Sequence, residues 1–503
     1  MDFLLPWRRK GRDIRTCWGY TFDFTSKHLE PEELHSLKYT CDELADKCLS
    51  RLNELAPPSS PSLPKRSSQV NGQSKDAVPE KSVMRRDLYA LLRDHATEDP
   101  ILERMWTEVN AVPKFVDWDQ IARGQEVFYR YGGAALTGLA YQSLLGGMAR
   151  VPDLPSGASR VVETLARTGG FSPKVARGRL YETTQHILQC TRSIESIQPG
   201  GEGHISSIRV RFLHSAVRQR ILKLASQRPE YYSVEKWGIP INDLDSIGTI
   251  STFSATLIWI SFPRQGIWLR KQEIEDYLAL WRLIAYYLGT PTEHFATPGS
   301  AKAIMESLLI SEINPTDTSK ILANNIITAL AAQPPGYASR DFLTAGARWL
   351  NGDELADRLG LGRPSLWYKA LVLGQIIFFM SLCYSHRSIP ALDRRKIATL
   401  RRVFYTIIVN KKHGLAEETK FEFKYVPDFH ITSTESAAPE ESGIKTSGVE
   451  RRSLKVLMYA VFGLVVTLST VFKALVVLGP WLSRRGSRVP GLLIQAHELV
   501  GKH

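Results

Sequence analysis

A histidine stands between two arginines at helical spacing in residues 206–222, which contain the letters RVRFLHSAVR. At about 100° per residue, apolar side chains form one stripe along this predicted helix, and His214 falls at the border of the stripe. The stripe consists of Val210, Leu213, Val217, Ile221 and Leu224. Arg211 and Arg218 come just beyond the histidine. A ligand bound here would meet an apolar wall, an imidazole and two cations, in that order.

Haem matches this order of groups. It combines a flat apolar macrocycle, an iron that accepts a neutral imidazole nitrogen, and anionic propionates at one edge. The pattern therefore predicts His214 as an iron ligand and Arg211 and Arg218 as the partners of the propionates. The same spacing also fits a histidine at the edge of the core on a basic surface helix, and this stretch alone leaves both interpretations open.

Composition and charge restrict the possible partners. The chain has 503 residues, 43% of them hydrophobic, which is enough for a large core. Its net charge of +13 suits an anionic partner. The basic residues are spread along predicted helices among 51 acidic ones and form no arm interleaved with aromatic residues. We therefore expect a membrane surface as partner and no nucleic acid. The five cysteines form no CxxC pair, so neither a zinc site nor a disulfide framework is predicted.

Composition also divides the chain into segments. We expect an N-terminal helical segment over residues 1–55, with a helix over 31–55. Residues 56–85 and 429–450 are polar, and such segments bury too little apolar surface to offset the entropy of ordering, which predicts a disordered linker and a second polar linker. Between them, residues 86–428 have helical periodicity without a βαβ rhythm, and we expect one large all-α domain there.

Three apolar stretches lie inside this domain, at residues 250–262, 281–288 and 370–384. Each is shorter than the roughly 20 residues that a helix needs to cross a bilayer. We therefore predict that all three belong to buried core helices.

A longer apolar stretch near the C-terminus is different. Residues 456–472 are seventeen uncharged residues bracketed by Lys455 and Lys473. These lysines are five helical turns apart on one face, so they reach opposite interfaces about 27 Å apart. The stretch predicts a single transmembrane helix within an anchor over 451–482, followed by a basic tail over 483–503. A helix lying flat on the membrane is the alternative, but the circumference is apolar all round.

Orientation in the membrane is harder to predict. Basic residues flank both ends of the anchor, so the positive-inside rule does not orient it. The apolar run Phe3-Leu4-Leu5 is too short for a signal peptide. We therefore expect the main domain to be cytosolic.

The motif Arg211-x-x-His214-x-x-x-Arg218 resembles the latex clearing protein, or rubber oxygenase, family, which includes fungal ER-bound oxygenases of the mycophenolic-acid pathway type. Those are all-α proteins that bind haem b through the histidine of this motif. The resemblance implies that His214 is the proximal ligand and that the anchor is a single-pass helix in the endoplasmic reticulum membrane. Further similar blocks, at 237–242 and 275–282, extend the resemblance over about residues 87–410.

The resemblance also suggests distal groups. Arg179 to Thr183 is similar to the Arg-x-x-Lys-Thr element of rubber oxygenases, which implies that Arg179 and Thr183 orient bound oxygen. Glu163 stands where the family has a carboxylate proposed as a base. Glu182 replaces the family's lysine, and a carboxylate cannot act as an amine ligand to iron. Without the family, Arg179 and Glu182 are also explained as a surface ion pair, and Glu163 as a solvated helix charge.

These features together predict a membrane-anchored, haem b-dependent oxygenase of secondary metabolism. Its expected partners are O₂ and a lipophilic alkene, derived from an isoprenoid or a polyketide, that undergoes oxidative C=C cleavage or hydroxylation. The alternative is a non-catalytic haem-binding or scaffold protein that tethers a biosynthetic assembly at the ER. The sequence leaves the oligomeric state open.

Overall fold

The structure is a computed structural model, and it confirms the predicted all-α class. It describes residues 12–57, 86–147, 171–410, 414–421 and 447–486, with the side chains of 144, 410 and 475–486 left out. Glu163, nearly all of the first predicted linker, most of the second and the basic tail after residue 486 lie outside these ranges.

Helices make up almost all of the regular structure in these ranges. The two strands are Asp13–Cys17 (β1) and Tyr20–Phe24 (β2). The helices are Pro31–Ser36 (α1), Glu43–Leu55 (α2), Leu88–His95 (α3), Pro100–Asn110 (α4), Trp118–Arg130 (α5), Gly132–Gly138 (α6), Pro173–Thr191 (α7), Ile194–Ile197 (α8), Glu202–Gln227 (α9), Val234–Trp237 (α10), Asp243–Phe253 (α11), Phe262–Arg264 (α12), Lys271–Tyr287 (α13), Pro298–Ser311 (α14), Asp317–Leu330 (α15), Arg340–Asn351 (α16), Asp353–Arg358 (α17), Leu366–Arg387 (α18), Pro390–Tyr405 (α19) and Gly448–Gly486 (α20). Short 3-10 turns lie at Leu37–Tyr39 and Glu293–Phe295, and π-helical turns at Leu139–Leu145, Leu257–Ser261 and Thr406–Asn410.

The N-terminal segment differs from the helix predicted there. β1 and β2 form an antiparallel hairpin whose turn residues, Trp18 and Gly19, both have positive φ, at 52° and 71°. Such turns match the twist of the paired strands. The predicted helix over 31–55 is interrupted between α1 and α2, where the Asp42 side chain accepts a hydrogen bond from the Ala45 N–H and caps α2.

The core is centred on α5 and α13. These helices approach closely because Gly124 has no side chain, and an added Cβ would overlap the carbonyl oxygen of Asp276. Trp281, Leu283 and Ile284 of α13 are buried. Ile250, Leu257 and Ile260 are buried as well. The apolar stretches 281–288 and 250–262 are therefore core helices, as the sequence predicts.

The third apolar stretch is only half buried. Leu371, Val372 and Ile376 on one face of α18 belong to the core, whereas Leu366 and Trp367 are 80% and 53% exposed. In the described part of the chain, two helices are long and apolar enough to cross a membrane, namely α18 and the Gly448–Ala474 part of α20. The predicted core helix over 370–384 therefore buries one face, whereas Leu373 on the other face is 39% exposed and Leu366 and Trp367 lie before the stretch.

The start of α20 packs directly on the domain. The Glu450 carboxylate accepts a hydrogen bond from the Ser339 N–H at 2.8 Å and thereby caps α16. An added Cβ at Gly374 in α18 would overlap the carbonyl oxygen of Ser453. The last residues of the predicted linker, 448–450, are thus helical and fixed to the domain, because they carry a cap and a close helix contact.

We expect Gly374→Ala to lower the unfolding temperature of the detergent-solubilised protein, because overpacking a close contact costs about 1–3 kcal/mol. Gly463→Ala in α20 is the matched control, since nothing lies within 4 Å of the position that its Cβ would take. Thermal unfolding followed by circular dichroism compares the two variants. Equal unfolding temperatures would contradict the close α18–α20 contact.

Candidate functional site

The helix that carries His214, α9, is positioned by close packing against α7. In its first turn, an added Cβ at Gly203 would lie 2.7 Å from the Cα of Cys190, so only glycine permits this approach. Further along α9, Ser206 Oγ lies 2.8 Å from Nδ1 of His186. The short connection through α8 reverses the chain direction between these helices. The N-terminal half of α7 therefore lies alongside the part of α9 that carries His214.

Arg211 is buried in an ion-pair cluster. Its Nε and Nη2 donate to the Asp42 carboxylate at 2.6 and 3.0 Å, and Nη2 also donates to Glu108 at 2.8 Å. Burial alone would lower the pKa of Arg211, but the two carboxylates raise it above its ordinary value. Arg211 therefore ties α9 to α2 and α4.

Arg218 forms a second ion-pair cluster, about two helical turns after Arg211 in α9. Its Nε and Nη2 donate to Asp46 at 2.8 and 3.1 Å, and its Nη1 donates to the Ile241 carbonyl oxygen at 2.6 Å. Ser215 Oγ donates to the same Asp46 carboxylate. Asp46 thus receives three donors from one face of α9.

Arg211 and Arg218 have a structural role in addition to the one that the sequence predicts. Both side chains are buried, and protein carboxylates accept hydrogen bonds from their Nε and Nη2 groups. The arginines therefore position the helix of His214, and their pairing with propionates stays a prediction. The sequence interpretation missed Asp42 and Asp46, whose one signal is a pair of carboxylates four residues apart at the start of α2.

His214 is a neutral imidazole at physiological pH. Burial lowers its pKa to about 4, the nearby Arg218 cation lowers it further, and Asp42 opposes the shift. The uncharged form has a nitrogen lone pair for a metal ion. His214 thus has the protonation state that iron ligation requires.

The ring nitrogens of His214 are also unused. Three other histidines of the core, His28, His186 and His204, each have a hydrogen-bond partner. Within the described residues, neither nitrogen of His214 has one. His214 is only partly buried, so a ligand could reach these nitrogens.

Two of the expected distal residues share a partly buried face of α7. The Arg179 guanidinium lies 5.6 Å from the centre of the Phe171 ring, and burial lowers the pKa of Arg179 while the charge of Glu182 raises it. Glu182 accepts a long hydrogen bond of 3.5 Å from Thr419 Oγ1. A desolvated cation and a carboxylate therefore lie together on the helix beside His214.

Thr183 does not share this partly buried face. Thr183 is exposed, and Glu163 lies outside the described residues. The base role of Glu163 stays a prediction.

His186 is a site residue that the sequence interpretation missed. It is buried, and burial together with the nearby His214 lowers its pKa to about 4. Its ring meets that of Phe421 edge to face at 6.2 Å. The signal was its position seven residues after Arg179, which places both on one face of α7. The site therefore contains two neutral imidazoles.

Residues 414–421 form a strap over α7. The Gln185 side chain donates to the Thr419 carbonyl oxygen at 3.0 Å and accepts from its N–H at 2.9 Å. These two hydrogen bonds to the backbone of Thr419 resemble the pairing of neighbouring strands and fix the strap on α7. Phe421 then lies with its ring edge to face with the His186 ring. The strap closes one side of the α7 face that carries Glu182.

We expect Asp46→Ala to destabilise the protein by about 3–5 kcal/mol, because it leaves the Arg218 cation buried without its partner. Glu43→Ala on the same helix is the matched control, since Glu43 is exposed and pairs with the exposed Lys47. Urea unfolding monitored by fluorescence measures both variants. An unchanged midpoint for Asp46→Ala would contradict the positioning role.

Comparison with known proteins finds similarity over part of the chain. A sequence profile described as the catalytic domain of ER-bound oxygenase mpaB/B′/rubber oxygenase matches residues 129–376. The rubber oxygenase of Streptomyces sp. (strain K30) is 24% identical over 172 residues, which are 34% of this chain and 41% of that protein. The alignment thus spans less than half of that relative. The structure of latex clearing protein LCP in the closed state aligns with a TM-score of 0.49 and 17% identity, over 73% of this chain and 91% of that one.

The matched range holds α7 and α9, with Arg179, Glu182, His186 and His214. Residues 129–376, just under half of the chain, are therefore similar to the catalytic domain of the ER-bound oxygenase mpaB/B′/rubber oxygenase family.

Proposed function

We propose that this protein is a membrane-anchored, haem b-dependent oxygenase that acts on a lipophilic alkene. The observation that carries the proposal is His214, a neutral imidazole with two unused nitrogens inside an oxygenase catalytic domain. Neutral imidazole is the form that ligates haem iron. Bound haem would supply the activation of O₂.

The residues around His214 fit this cofactor in part. The histidine is suited to the iron, and Val217 and Ile221 on the same helix form an apolar cluster with Tyr232, which follows the helix. Arg211 and Arg218 are engaged by carboxylates, so we assign them the positioning of α9 and leave the propionate partners unassigned.

The distal chemistry is assigned to α7 and to the segment before it. Arg179, a desolvated cation, would orient and polarise O₂ in the site, since a charge acts strongly where water is excluded. Glu163 removes an allylic proton from the alkene. Glu182 has no amine to offer to iron, so a resting state closed by lysine, which the family resemblance implies for rubber oxygenases, is not proposed here.

The proposed substrate and location follow from the anchor. A helix such as α20 in the endoplasmic reticulum membrane would bring a cytosolic active site close to material dissolved in the bilayer. An isoprenoid or polyketide-derived alkene of secondary metabolism fits this location. The proposed reaction is oxidative C=C cleavage or hydroxylation.

One observation favours the alternative of a haem-binding or scaffold protein without turnover. Thr183, which the family resemblance implies to be a distal residue, is exposed. A haem protein that only tethers a biosynthetic assembly would not need this hydroxyl near the iron. The two experiments below separate haem binding from turnover.

We expect His214→Ala to lose its haem, because the iron loses its protein ligand. The purified wild-type protein should carry about one haem b per chain and show a Soret band. His95→Ala is the control, since His95 lies on α3 and pairs with Glu98 at the surface. Retention of a normal Soret band by His214→Ala would rule out this histidine as the ligand.

We expect Glu163→Gln to keep its Soret band and to lose most of its O₂-dependent conversion of a lipophilic alkene. Loss of a positioned general base typically costs about 10²–10⁴-fold in rate. Incorporation of ¹⁸O₂ into product measures the reaction for this variant and for Arg179→Ala. Full turnover in both variants would show that the distal assignment is mistaken, and wild-type haem protein without any turnover would favour the scaffold alternative.

A further inference from the structure

The exposed end of α18 lies beside the point where α20 leaves the domain. Gly374 packs against Ser453, and the Arg452 guanidinium lies 4.1 Å from the centre of the Phe378 ring. The partners on α20 move toward its N-terminus as α18 proceeds toward its C-terminus, so these helices are antiparallel. The start of α18 is therefore level with about residue 461 of α20.

The burial of α20 changes at the same level. Val456, Leu457 and Ala460 are partly buried against the domain, whereas all side chains over 461–474 are exposed. The first turn of α18 is also uncovered, as the exposure of Leu366 and Trp367 indicates. Two apolar surfaces thus become continuous where the domain ends.

We propose that the N-terminal end of α18 lies in the headgroup region of a phospholipid bilayer, with Leu366 and Trp367 as its contacts. In this arrangement α20 enters the hydrocarbon at about Val461. The inference rests on the proposed anchoring by α20. Tyr459 is exposed at the same level as Trp367, and tyrosine and tryptophan are enriched where membrane meets water.

The level at which α20 enters the hydrocarbon follows from the charged side chains that each choice would place in lipid. If the hydrocarbon began at Val456, as the lysine spacing suggests, the loop over 360–365 would lie about 7 Å below the boundary. The Arg363 side chain, which is 77% exposed, would then be in lipid. If α20 instead enters at Val461, Lys473 is the one charged residue of 461–480 that lies at the depth of the hydrocarbon. Its long side chain can extend toward the interface, as lysine side chains near helix ends do.

Basic side chains lie on the headgroup side of this boundary. Arg451 and Lys455 are exposed on the first turns of α20, where the phosphates of anionic lipids would meet them. The α18–α20 pair therefore holds the domain against the bilayer in one orientation.

Tryptophan quenching by brominated lipid tests this arrangement in the full-length protein. The protein is reconstituted into phosphatidylcholine vesicles with or without bromine near the headgroup end of the acyl chains. We expect Trp367→Phe to lose a measurable part of the wild-type quenching. Trp268→Phe is the matched control, because Trp268 is 60% exposed and lies near the opposite end of α18. There, the backbone N–H of Trp268 donates a hydrogen bond to the Tyr384 hydroxyl. That end is about 25 Å from Trp367.

A third variant, Trp481→Phe, separates this inference from the proposed anchoring. Trp481 lies near the far end of α20 and should lose quenching whenever α20 spans the bilayer. Loss of quenching in Trp481→Phe but not in Trp367→Phe would overturn the membrane contact of α18 and leave the anchor in place. Unchanged quenching in both variants would overturn the anchoring itself. The protein could instead form a dimer that dissociates in the Leu366→Asp variant while Trp367→Phe keeps the wild-type quenching. That result would assign this face to a second copy of the chain.

Discussion

Two guanidinium–carboxylate clusters between α9 and its neighbours hold the helix that carries the candidate ligand. The side chains of Arg211 and Arg218 are only 4% and 3% exposed. A buried cation without its carboxylate is strongly unfavourable, so α9 can take its place only when α2 and α4 are present. Asp42, Asp46 and Glu108 all precede residue 129, where the family match begins. The site therefore depends on residues outside the matched domain.

The sequence predicted the helix and the histidine but not the surroundings of the arginines. Helical spacing states which residues share a face, and it correctly groups His214 with Arg211 and Arg218. It does not state what packs on that face. The carboxylate that binds Arg211 is 169 residues away in the chain, and no local pattern links the two. The sequence therefore did not show that the protein itself supplies a carboxylate partner for each of the two cations.

The same limit explains the errors elsewhere in the fold. The strands of the N-terminal hairpin have five residues each, too few for an alternating pattern to stand out. The sequence predicted a helix over 370–384, but α18 has 22 residues and extends beyond this stretch at both ends. Hydropathy counts apolar residues without saying which face is covered. Its inner face packs on the core and on Ser453, and its first turn remains exposed. The packing of α20 on α18 decides which part of α18 is covered, and the sequence pattern of α18 does not contain this information.

Arg218 links the architecture of the site to its chemistry. Its pairing with Asp46 fixes α9, and its positive charge also disfavours the protonated form of His214. Asp42 acts in the opposite direction, so the pKa of the imidazole depends on the same clusters that position the helix. Burial and Arg218 prevail, and the imidazole stays neutral. The ion pairs that bring α2 against α9 therefore also keep the ring in the form that ligates a metal.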